Sequence, residues 1–301
     1  TPLYNYLKEI PDTVADELFN EYGGVTEFCR STASPALDGL LNSGIQVLWL
    51  MKYRKDIYDR VNSILHLPQY LSYLFTGKII SELTSIGCHT FMWDFDNSRY
   101  HRWVQDKNIP LPVPVANSHT FTVSANNKSV KCGTGIHDST ASMVPFLTGS
   151  SEKFILLSSG TWCINMNPFN NTPLTEAQIE NDCLAYINTC GEPVKSSRIF
   201  SGFIREINNA MLADYFSVDE DRFKTVRINR DYITRFLTSS EKIFFSNGIP
   251  DDYCDNSVDL SVFSGYEEAY HRLLFDLCLM NKDAIDRILS PNDDIKNIYI
   301  T

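Results

Sequence analysis

The sequence predicts an α/β fold in which helices pack in layers on a sheet. Two strand-like apolar runs, residues 154–157 and 162–166, follow each other with small residues between them. The longest helical pattern, residues 263–289, repeats leucine and isoleucine at the spacing of one helix face. Because strands and helices are mixed along the chain, layered α/β packing is the class that they favour.

The remaining elements are predicted from capping residues and periodicity. A helix is expected at residues 12–22, where a glycine pair ends an apolar stripe. A second helix is expected over residues 34–53, opening on a Ser-Pro pair and broken at residues 43–44. Further along, we expect strands at residues 63–67, 129–136 and 298–300, and helices at residues 69–75 and 139–147.

Size and charge exclude several classes of protein. A chain of 301 residues is long enough for a sizeable core and for two domains. Its 26 Lys and Arg residues stand against 37 Asp and Glu residues, a net charge of −11. Like charges repel, so we expect no nucleic-acid partner and no anionic membrane partner. Aromatic residues make up 12% of the chain, which argues against disorder.

The cysteines and the apolar runs indicate the compartment. The eight cysteines are scattered and form no C-x-x-C pair, which argues against a zinc ribbon or a thioredoxin-type motif. We therefore expect reduced structural thiols in a cytoplasmic protein. No basic-then-apolar leader opens the chain, and no apolar run reaches the roughly 18 residues of a membrane span.

The first candidate site is the segment Gly133-Thr-Gly-Ile-His-Asp-Ser-Thr-Ala141. Its glycines allow the backbone to approach a ligand closely. Asp138 lies at the predicted junction of a strand and a helix, where a carboxylate can accept a proton from a hydroxyl group while the helix N-terminus stabilises its charge. The alternatives are that Asp138 is only a helix N-cap and that His137 is a half-buried histidine with satisfied hydrogen bonds.

Two further segments are candidates for ligand contacts. The turn Ser158-Ser-Gly-Thr-Trp162 presents hydroxyl and backbone N–H groups that suit a phosphate oxygen without positive charge; the alternative is an ordinary hairpin turn. The segment from Ser81 to Asp94 alternates polar and apolar residues, which suggests a strand followed by a loop. Within it, Trp93 is a candidate for stacking on a sugar ring, and the alternative is a core tryptophan.

Several common catalytic motifs are absent from the sequence. It contains neither a P-loop nor a G-x-G-x-x-G fingerprint for dinucleotides. It also lacks the H-E-x-x-H motif of zinc proteases and the G-x-S-x-G elbow of serine hydrolases. The other histidines are dispersed and show no metal-ligand spacing.

Five motifs follow one another along the chain: Tyr70-Leu-Ser-Tyr-Leu-Phe-Thr-Gly77, Glu82-x-Thr-Ser-Ile-Gly87, Trp93-Asp94, Gly135-Ile-His-Asp-Ser-x-Ala141 and Ser158-Ser-Gly-Thr-Trp162. In this order they resemble the FGGY carbohydrate kinases. The His137-Asp138 pair and the Ser-Ser-Gly-Thr-Trp turn are most similar to rhamnulokinases and to related kinases of deoxy-ketoses such as L-fuculose. The resemblance runs over nearly the whole chain, and its specificity comes from the order of motifs that are individually weak.

The resemblance implies an actin-like, ribonuclease H-like fold of two lobes. It places residues 1–150 in the first, sugar-binding lobe and residues 151–301 in the second, nucleotide-binding lobe. ATP and Mg²⁺ are the implied cofactors, and no residue of the chain is implied as a metal ligand. The implied site residues are Asp138 as the catalytic base, His137 and Trp93 on the sugar side, and Ser159, Gly160 and Thr161 in the phosphate loop.

The sequence also departs from the family pattern. The Asp-x-Gly-Thr phosphate loop of the first lobe is absent, and so is the Gly-Gly-Gly adenosine loop that is expected after a strand like residues 298–301. The family usually has Lys three residues before the tryptophan at Trp49, whereas this sequence has Gln46. The resemblance therefore implies the middle portion of a longer enzyme, truncated at both ends.

Three functional hypotheses follow. The first is an ATP-dependent kinase that transfers the γ-phosphate to a hydroxyl group of a ketose, with L-rhamnulose ahead of L-fuculose or a pentulose. The second is a non-catalytic sugar-binding or assembly fragment of such a protein. The third is another actin-like ATPase, such as a chaperone, against which the sugar-side segments between Tyr70 and Asp94 argue. The expected partner is a small sugar, and a homodimer is left open.

Overall fold

The computed structural model of the protein describes residues 4–5, 8–37, 39–125, 128–238 and 241–301. Its contacts divide the chain into two compact units. The first unit comprises Thr1–Leu156, Met166–Ser197 and Ile288–Ile298, and the second comprises Leu157–Asn165, Arg198–Arg287 and Tyr299–Thr301. The assignment of residues 1–150 and 151–301 to two lobes stays a prediction.

Helices and strands are mixed along the chain, which confirms the predicted α/β class. The α-helices are α1 (Thr13–Glu21), α2 (Val25–Ser31), α3 (Ser43–Tyr53), α4 (Lys55–Tyr58), α5 (Leu67–Thr76), α6 (Leu83–Ile86), α7 (Arg102–Asp106), α8 (Asp138–Gly149), α9 (Glu176–Glu180), α10 (Ser201–Tyr215), α11 (Arg230–Leu237) and α12 (Tyr266–Asp286). Short 3₁₀ helices cover Glu220–Thr225 and Leu260–Val262. The strands are β1 (Ser81–Glu82), β2 (Trp93–Asp94), β3 (Arg99–Tyr100), β4 (Pro114–Val115), β5 (Thr120–Ala125), β6 (Lys128–Gly133), β7 (Lys153–Ser158), β8 (Cys163–Asn167), β9 (Cys183–Ile187), β10 (Pro193–Ile199) and β11 (Ile295–Ile300).

The main sheet has five strands in the order β11-β7-β8-β10-β9, and each of them has residues in the first unit. Strands β9 and β10 are antiparallel, with Ile187 opposite Pro193 and Cys183 opposite Ser197. Every residue of β9 is buried, which explains its continuous apolar sequence. The remaining strands pair as β1 with β4 in parallel and as the antiparallel pairs β2–β3 and β5–β6.

Capping residues account for several helix ends. In α9 the hydroxyl of Thr175 accepts the Gln178 N–H while the Gln178 side chain accepts the Thr175 N–H, which is a complete capping box. Helix α5 begins with a proline in its first turn and ends at Gly77, whose φ of 65° is the left-handed conformation that glycine adopts without strain.

The core of the first unit is built from α1, α2, α3 and the segment between Ile86 and Ile109. Trp103 is fully buried, and its indole N–H donates to the carbonyl of Phe91 at 2.6 Å. A Cβ atom at Gly44 would lie 2.6 Å from the carbonyl oxygen of Thr90, so α3 packs against this segment at backbone distance.

The core of the second unit lies mainly between α10 and α12. Ile204 and Leu212 of α10 and Ala269 and Leu273 of α12 are all fully buried. Their spacing on each helix matches one apolar face, as the sequence pattern of residues 263–289 predicted for α12.

Most predicted elements are confirmed. Helices expected at residues 12–22, 69–75, 139–147 and 263–289 correspond to α1, α5, α8 and α12. Strands expected at residues 129–136, 154–157, 162–166 and 298–300 correspond to β6, β7, β8 and β11.

The helix predicted over residues 34–53 is wrong in its first half. The Ser34 N–H donates to the carbonyl of Cys29, and the Ser34 hydroxyl donates to the carbonyl of Thr32. Ser34 therefore belongs to the turn that ends α2 and does not cap a new helix. Among the described residues after α2, helical structure starts again at α3, and α2 itself was not predicted.

One further strand prediction is wrong, and another is confirmed only for two residues. Residues 63–66 have no regular structure, and Ile64 makes an isolated backbone bond to Pro110. In the segment from Ser81 to Asp94, β1 ends after two residues because the Glu82 carboxylate accepts the N–H groups of Thr84 and Ser85 and thereby starts α6.

Two features bear on the environment of the protein. In the described part of the chain, no helix has the length and apolar character that crossing a bilayer requires. All eight cysteines lie in the described part, and none of them is in a disulfide bond there.

Candidate functional site

Asp138 is the first residue of α8, directly after the N-cap residue His137. Its carboxylate is 94% exposed, and its Oδ1 accepts the Ser139 N–H at 2.7 Å. The interpretation of Asp138 as an N-cap is therefore wrong, because His137 occupies the cap position. An exposed carboxylate in the first turn of a helix is stabilised in its charged form by the helix N-terminus.

His137 is held by contacts with its backbone and with its ring. Its N–H donates to the hydroxyl of Thr84 at 2.9 Å, and its ring stacks on Tyr186 with centroids 5.9 Å apart. Its Nε2 lies 3.1 Å from the Cys88 sulfur and 3.3 Å from Asp138 Oδ1. Burial lowers the pKa of His137, and the nearby charge of Asp138 opposes this only in part, so the ring is neutral at pH 7.

The contacts of the His137 ring favour one tautomer. A carboxylate oxygen only 3.3 Å from Nε2 is favourable when Nε2 carries the proton. Nδ1 is then a bare acceptor, and it is buried without a hydrogen-bond partner among the described residues. An unpartnered buried acceptor costs free energy that a hydroxyl donor would recover.

Two further polar residues near this junction, Gln69 and His66, are uncharged. Gln69 donates from Nε2 to the carbonyl of Gly135 at 3.0 Å, while its Oε1 is buried without a partner in the described part of the chain. Burial lowers the pKa of His66 to about 4, so its ring is also neutral. A Cβ at Gly135 would lie 2.4 Å from the carbonyl oxygen of Pro68, which explains the need for glycine there.

Trp93 does not present an open ring face. It is 7% exposed, belongs to the apolar core of the first unit, and makes an edge contact with Tyr100 at 5.8 Å. Its packing agrees with the alternative interpretation as a core tryptophan. Stacking of Trp93 on a sugar stays a prediction that this packing does not support.

The predicted phosphate loop lies in the second unit, between β7 and β8. Ser159, Gly160 and Thr161 are all exposed. The N–H and hydroxyl groups of Ser159 donate to the carbonyl of Thr301 at 2.9 and 3.2 Å. The N–H groups of Gly160 and Thr161 have no acceptor within the described residues. Adjacent free amides of this kind are a common way to bind an anion.

The loop rests on the beginning of α10. The Gly202 N–H donates to the carbonyl of Thr161 at 3.0 Å. Next to the loop, Trp162 stacks on Phe200 with ring centroids 4.2 Å apart, and the Arg198 guanidinium lies 4.8 Å from the Trp162 ring. These supporting residues were missed from the sequence, because nothing in the pattern around residue 200 announces a contact with a loop 40 residues earlier.

The structure brings some predicted site residues together within one unit. Asp138 and His137 lie in the first unit, where Thr84 and Cys88 contact His137. Both contacting residues lie inside or beside the motifs of the sequence analysis, which gave them no role. Ser159, Gly160 and Thr161 form one loop of the second unit. Across the residues that the structure describes, no group of three or more His, Cys, Asp or Glu side chains could hold a metal ion.

Comparison with known proteins supports one family. Residues 151–233 match the family description "Carbohydrate kinase FGGY, C-terminal domain". The chain is 28% identical over 144 residues to a rhamnulokinase of Pectobacterium atrosepticum, a match that covers 42% of this chain and 27% of that protein.

Solved structures show the same fold. A carbohydrate kinase from Novosphingobium aromaticivorans matches with a TM-score of 0.70 at 22% identity, over 98% of this chain and 65% of that chain. A ligand-bound xylulose kinase from Lactobacillus acidophilus matches with a TM-score of 0.68 at 13% identity, over 96% of this chain and 60% of that one. The chain thus spans less than two thirds of the length of each of these relatives.

Proposed function

We propose that the protein phosphorylates a sugar as part of an FGGY carbohydrate kinase. The proposal starts from the match of residues 151–233 to the C-terminal domain of that family, the 28% identity to a rhamnulokinase and the fold shared with a solved carbohydrate kinase. The observation that carries the proposal is the exposed carboxylate of Asp138 at the start of α8. The match to the C-terminal domain of the family begins at residue 151, which supports a division into a sugar lobe before it and a nucleotide lobe after it.

Asp138 is the proposed catalytic base. Its carboxylate accepts the proton of a sugar hydroxyl as that oxygen forms a bond to the γ-phosphorus, while the bond from phosphorus to the leaving ADP oxygen breaks. The local bond from the Ser139 N–H leaves other carboxylate lone pairs available for the hydroxyl. A base of this kind contributes about 10²- to 10⁴-fold, and positioning and charge stabilisation supply most of the remainder.

A sugar suits the uncharged polar surroundings of Asp138. The Nδ1 of neutral His137 and the Oε1 of Gln69 have no partner among the described residues, and each can accept a hydrogen bond from a hydroxyl group. Neutral groups bind a neutral polyol without the desolvation cost of bringing in a further charge. We therefore propose His137 as a residue of the sugar site, as the family resemblance implies.

ATP is the proposed phosphate donor, and the loop at Ser159, Gly160 and Thr161 is its proposed contact. Free N–H groups at Gly160 and Thr161 fit a phosphate oxygen. The described residues do not form a metal cage, and Mg²⁺ at such sites is held largely by water and phosphate oxygens. We therefore propose Mg²⁺ as a companion of the nucleotide and assign it no ligand in this chain.

The proposed acceptor is a ketose. L-rhamnulose comes first because the matched curated relative is a rhamnulokinase, and L-fuculose or a pentulose comes next. We also propose a cytoplasmic location, with a homodimer left open. A substrate panel scored by kcat/KM on the complete protein that carries this chain decides among the sugars. Equal values for all ketoses would contradict a rhamnulose preference.

The central test is Asp138→Asn in the complete protein. The amide oxygen can still accept the Ser139 N–H, so we expect sugar binding to persist while phosphate transfer falls by about 10²-fold or more. Asp231→Asn, at an exposed aspartate in the first turn of α11, is the matched control and should keep full activity. Full activity of Asp138→Asn would reject Asp138 as the base.

The second candidate is a non-catalytic sugar-binding or assembly fragment. It rests on the Asp-x-Gly-Thr and Gly-Gly-Gly loops of the family, neither of which occurs in the sequence. Titration calorimetry of this chain with L-rhamnulose and with ATP and Mg²⁺ separates the candidates. Sugar binding without nucleotide binding supports the fragment, whereas micromolar binding of both supports the kinase.

A further inference from the structure

Glu82 is a buried carboxylate whose hydrogen-bond donors come from α6. It is fully buried, and it accepts the N–H and the hydroxyl of Thr84, each at 2.7 Å, and the Ser85 N–H at 3.2 Å. Burial raises the pKa of Glu82, and these bonds oppose that rise. The carboxylate has no exposed surface, so it cannot contact a ligand directly. It can act only through the residues to which it is hydrogen-bonded.

The carboxylate fixes the direction of the Thr84 hydroxyl. A hydroxyl has one proton, and the proton of Thr84 Oγ1 points to Glu82 Oε2. The remaining lone pairs of Oγ1 can only accept, and one of them receives the His137 N–H at 2.9 Å. Thr84 therefore presents an acceptor to the residue directly before Asp138.

The position of Asp138 depends on its backbone rather than on side-chain packing. Its side chain is 94% exposed, and its contacts in the structure are with its neighbours His137 and Ser139. The backbone before it is held by the Thr84 bond to His137, and the helix after it is held by the Thr140 hydroxyl, which donates to the carbonyl of Ile187 at 3.0 Å. Loss of the first bond would free the turn that carries the carboxylate.

We propose that Thr84 is a positioning residue for Asp138, with Glu82 orienting the Thr84 hydroxyl. The proposal rests on the proposed kinase function of Asp138. The segment from Ser81 to Asp94 then serves to position Asp138, whereas the sequence had suggested that it stacks on a sugar through Trp93. A misplacement of about 1 Å in such a turn costs on the order of 10²-fold in rate.

The test compares Thr84→Val with Thr84→Ser in the complete protein, with the ketose that the substrate panel selects. Valine keeps the shape but loses both hydrogen bonds, and we expect kcat to fall by about 10²-fold with an unchanged KM for ATP. Serine keeps the hydroxyl and should restore kcat to within about threefold of the starting protein. If Thr84→Val does not fold, Thr84→Ala replaces it. Alanine leaves a small cavity next to the Glu82 carboxylate, where valine would place a methyl group.

Thr32→Val is the control for a merely structural effect. Thr32 is also buried in the first unit, and its hydroxyl donates to the carbonyl of Phe28 at 2.7 Å. We expect this variant to lose stability but to keep its kcat. Equal losses of kcat in Thr32→Val and Thr84→Val would overturn the positioning role.

A double variant tests whether Thr84 acts through Asp138. If it does, Thr84→Val added to Asp138→Asn should lower the residual rate by less than about threefold, because the group being positioned is already gone. A further 10²-fold loss in the double variant would overturn the proposal. If the unmodified protein phosphorylates no ketose, the proposed function itself is rejected. If the unmodified protein and the Thr84→Val variant are both fully active, only the positioning role is rejected.

Discussion

Gly202 lies so close to Gly160 that a Cβ atom on Gly202 would be 2.7 Å from the Gly160 carbonyl oxygen. The same Cβ would be 2.7 Å from the Thr161 Cα, so both obstacles are backbone atoms. Such a contact cannot be relieved by turning a side chain. The start of α10 therefore packs directly against the backbone of the proposed phosphate loop, and this close packing requires glycine at residue 202.

Gly202→Ala should displace the loop without removing any of its chemical groups. In the complete protein we expect kcat/KM for ATP to fall by about 10- to 100-fold, because the Gly160 and Thr161 N–H groups no longer point to their phosphate position. Initial rates at varied ATP concentration measure this. Gly149→Ala is the control, since a Cβ at Gly149 would meet nothing within 4 Å. Unchanged kinetics in Gly202→Ala would show that the loop does not contact the nucleotide.

The loop and the His-Asp junction were predictable because each is a short local sequence. Asp138 comes right after a strand-like run with glycines, and Ser159 to Thr161 separate two apolar runs, so both patterns can be seen within ten residues. Their supports were not predictable, since Gly202 and Thr84 act over 41 and 53 residues of chain separation. A contact at that distance is decided by packing, which one sequence does not display.

The errors in secondary structure have a different origin, in hydrogen bonds between residues close together in the chain. Ser34 followed by proline is a good helix start, but its hydrogen bonds go back to the end of α2. The polar alternation after Ser81 resembles a strand, but the buried Glu82 carboxylate captures the next N–H groups and begins α6. In both places a polar side chain can bond to the nearby backbone in two different local structures, and the prediction took the one that the protein does not adopt.

Removing one partner of the buried ion pair in α12 should destabilise the second unit. Arg272 and Asp276 are 2% and 0% exposed, and Arg272 Nε donates to Asp276 Oδ2 at 3.0 Å. Asp276 also accepts the N–H groups of Ile243 and Phe244. Arg272→Met leaves this carboxylate buried without its cation, and we expect a loss of about 3–5 kcal/mol in the free energy of unfolding.

Urea denaturation measures this loss against a control in the same helix. Lys282→Met breaks the pair between Lys282 and Asp286, whose side chains are both well exposed, and should leave the midpoint nearly unchanged. Similar midpoints for the two variants would show that the Arg272 pair contributes little.

His66 should make stability depend on pH in the acid range. Burial lowers the pKa of folded His66 to about 4, whereas the unfolded residue takes up its proton near pH 6.5. Between these values the unfolded state binds more protons, so stability falls as the pH falls, by up to about 3 kcal/mol from this residue. Denaturation at pH 7 and at pH 4.5 should therefore differ less in His66→Gln than in the starting protein. His119→Gln, at an exposed histidine, should keep the full difference, and an equal pH dependence in His66→Gln would contradict the assignment.

Trp162 should report nucleotide binding by its fluorescence. It is 39% exposed and adjoins Thr161, whereas Trp49 and Trp93 are 7% exposed and Trp103 is fully buried. Phosphate binding at the loop would change the stacking of Trp162 on Phe200 and its contact with Arg198, and both contacts affect the emission of an indole ring. We expect ATP to change the emission of the protein, and Trp162→Phe to abolish that change while the stacked ring is retained. Trp49→Phe is the control and should keep the response. A response that survives in Trp162→Phe would show that the nucleotide does not bind at this loop.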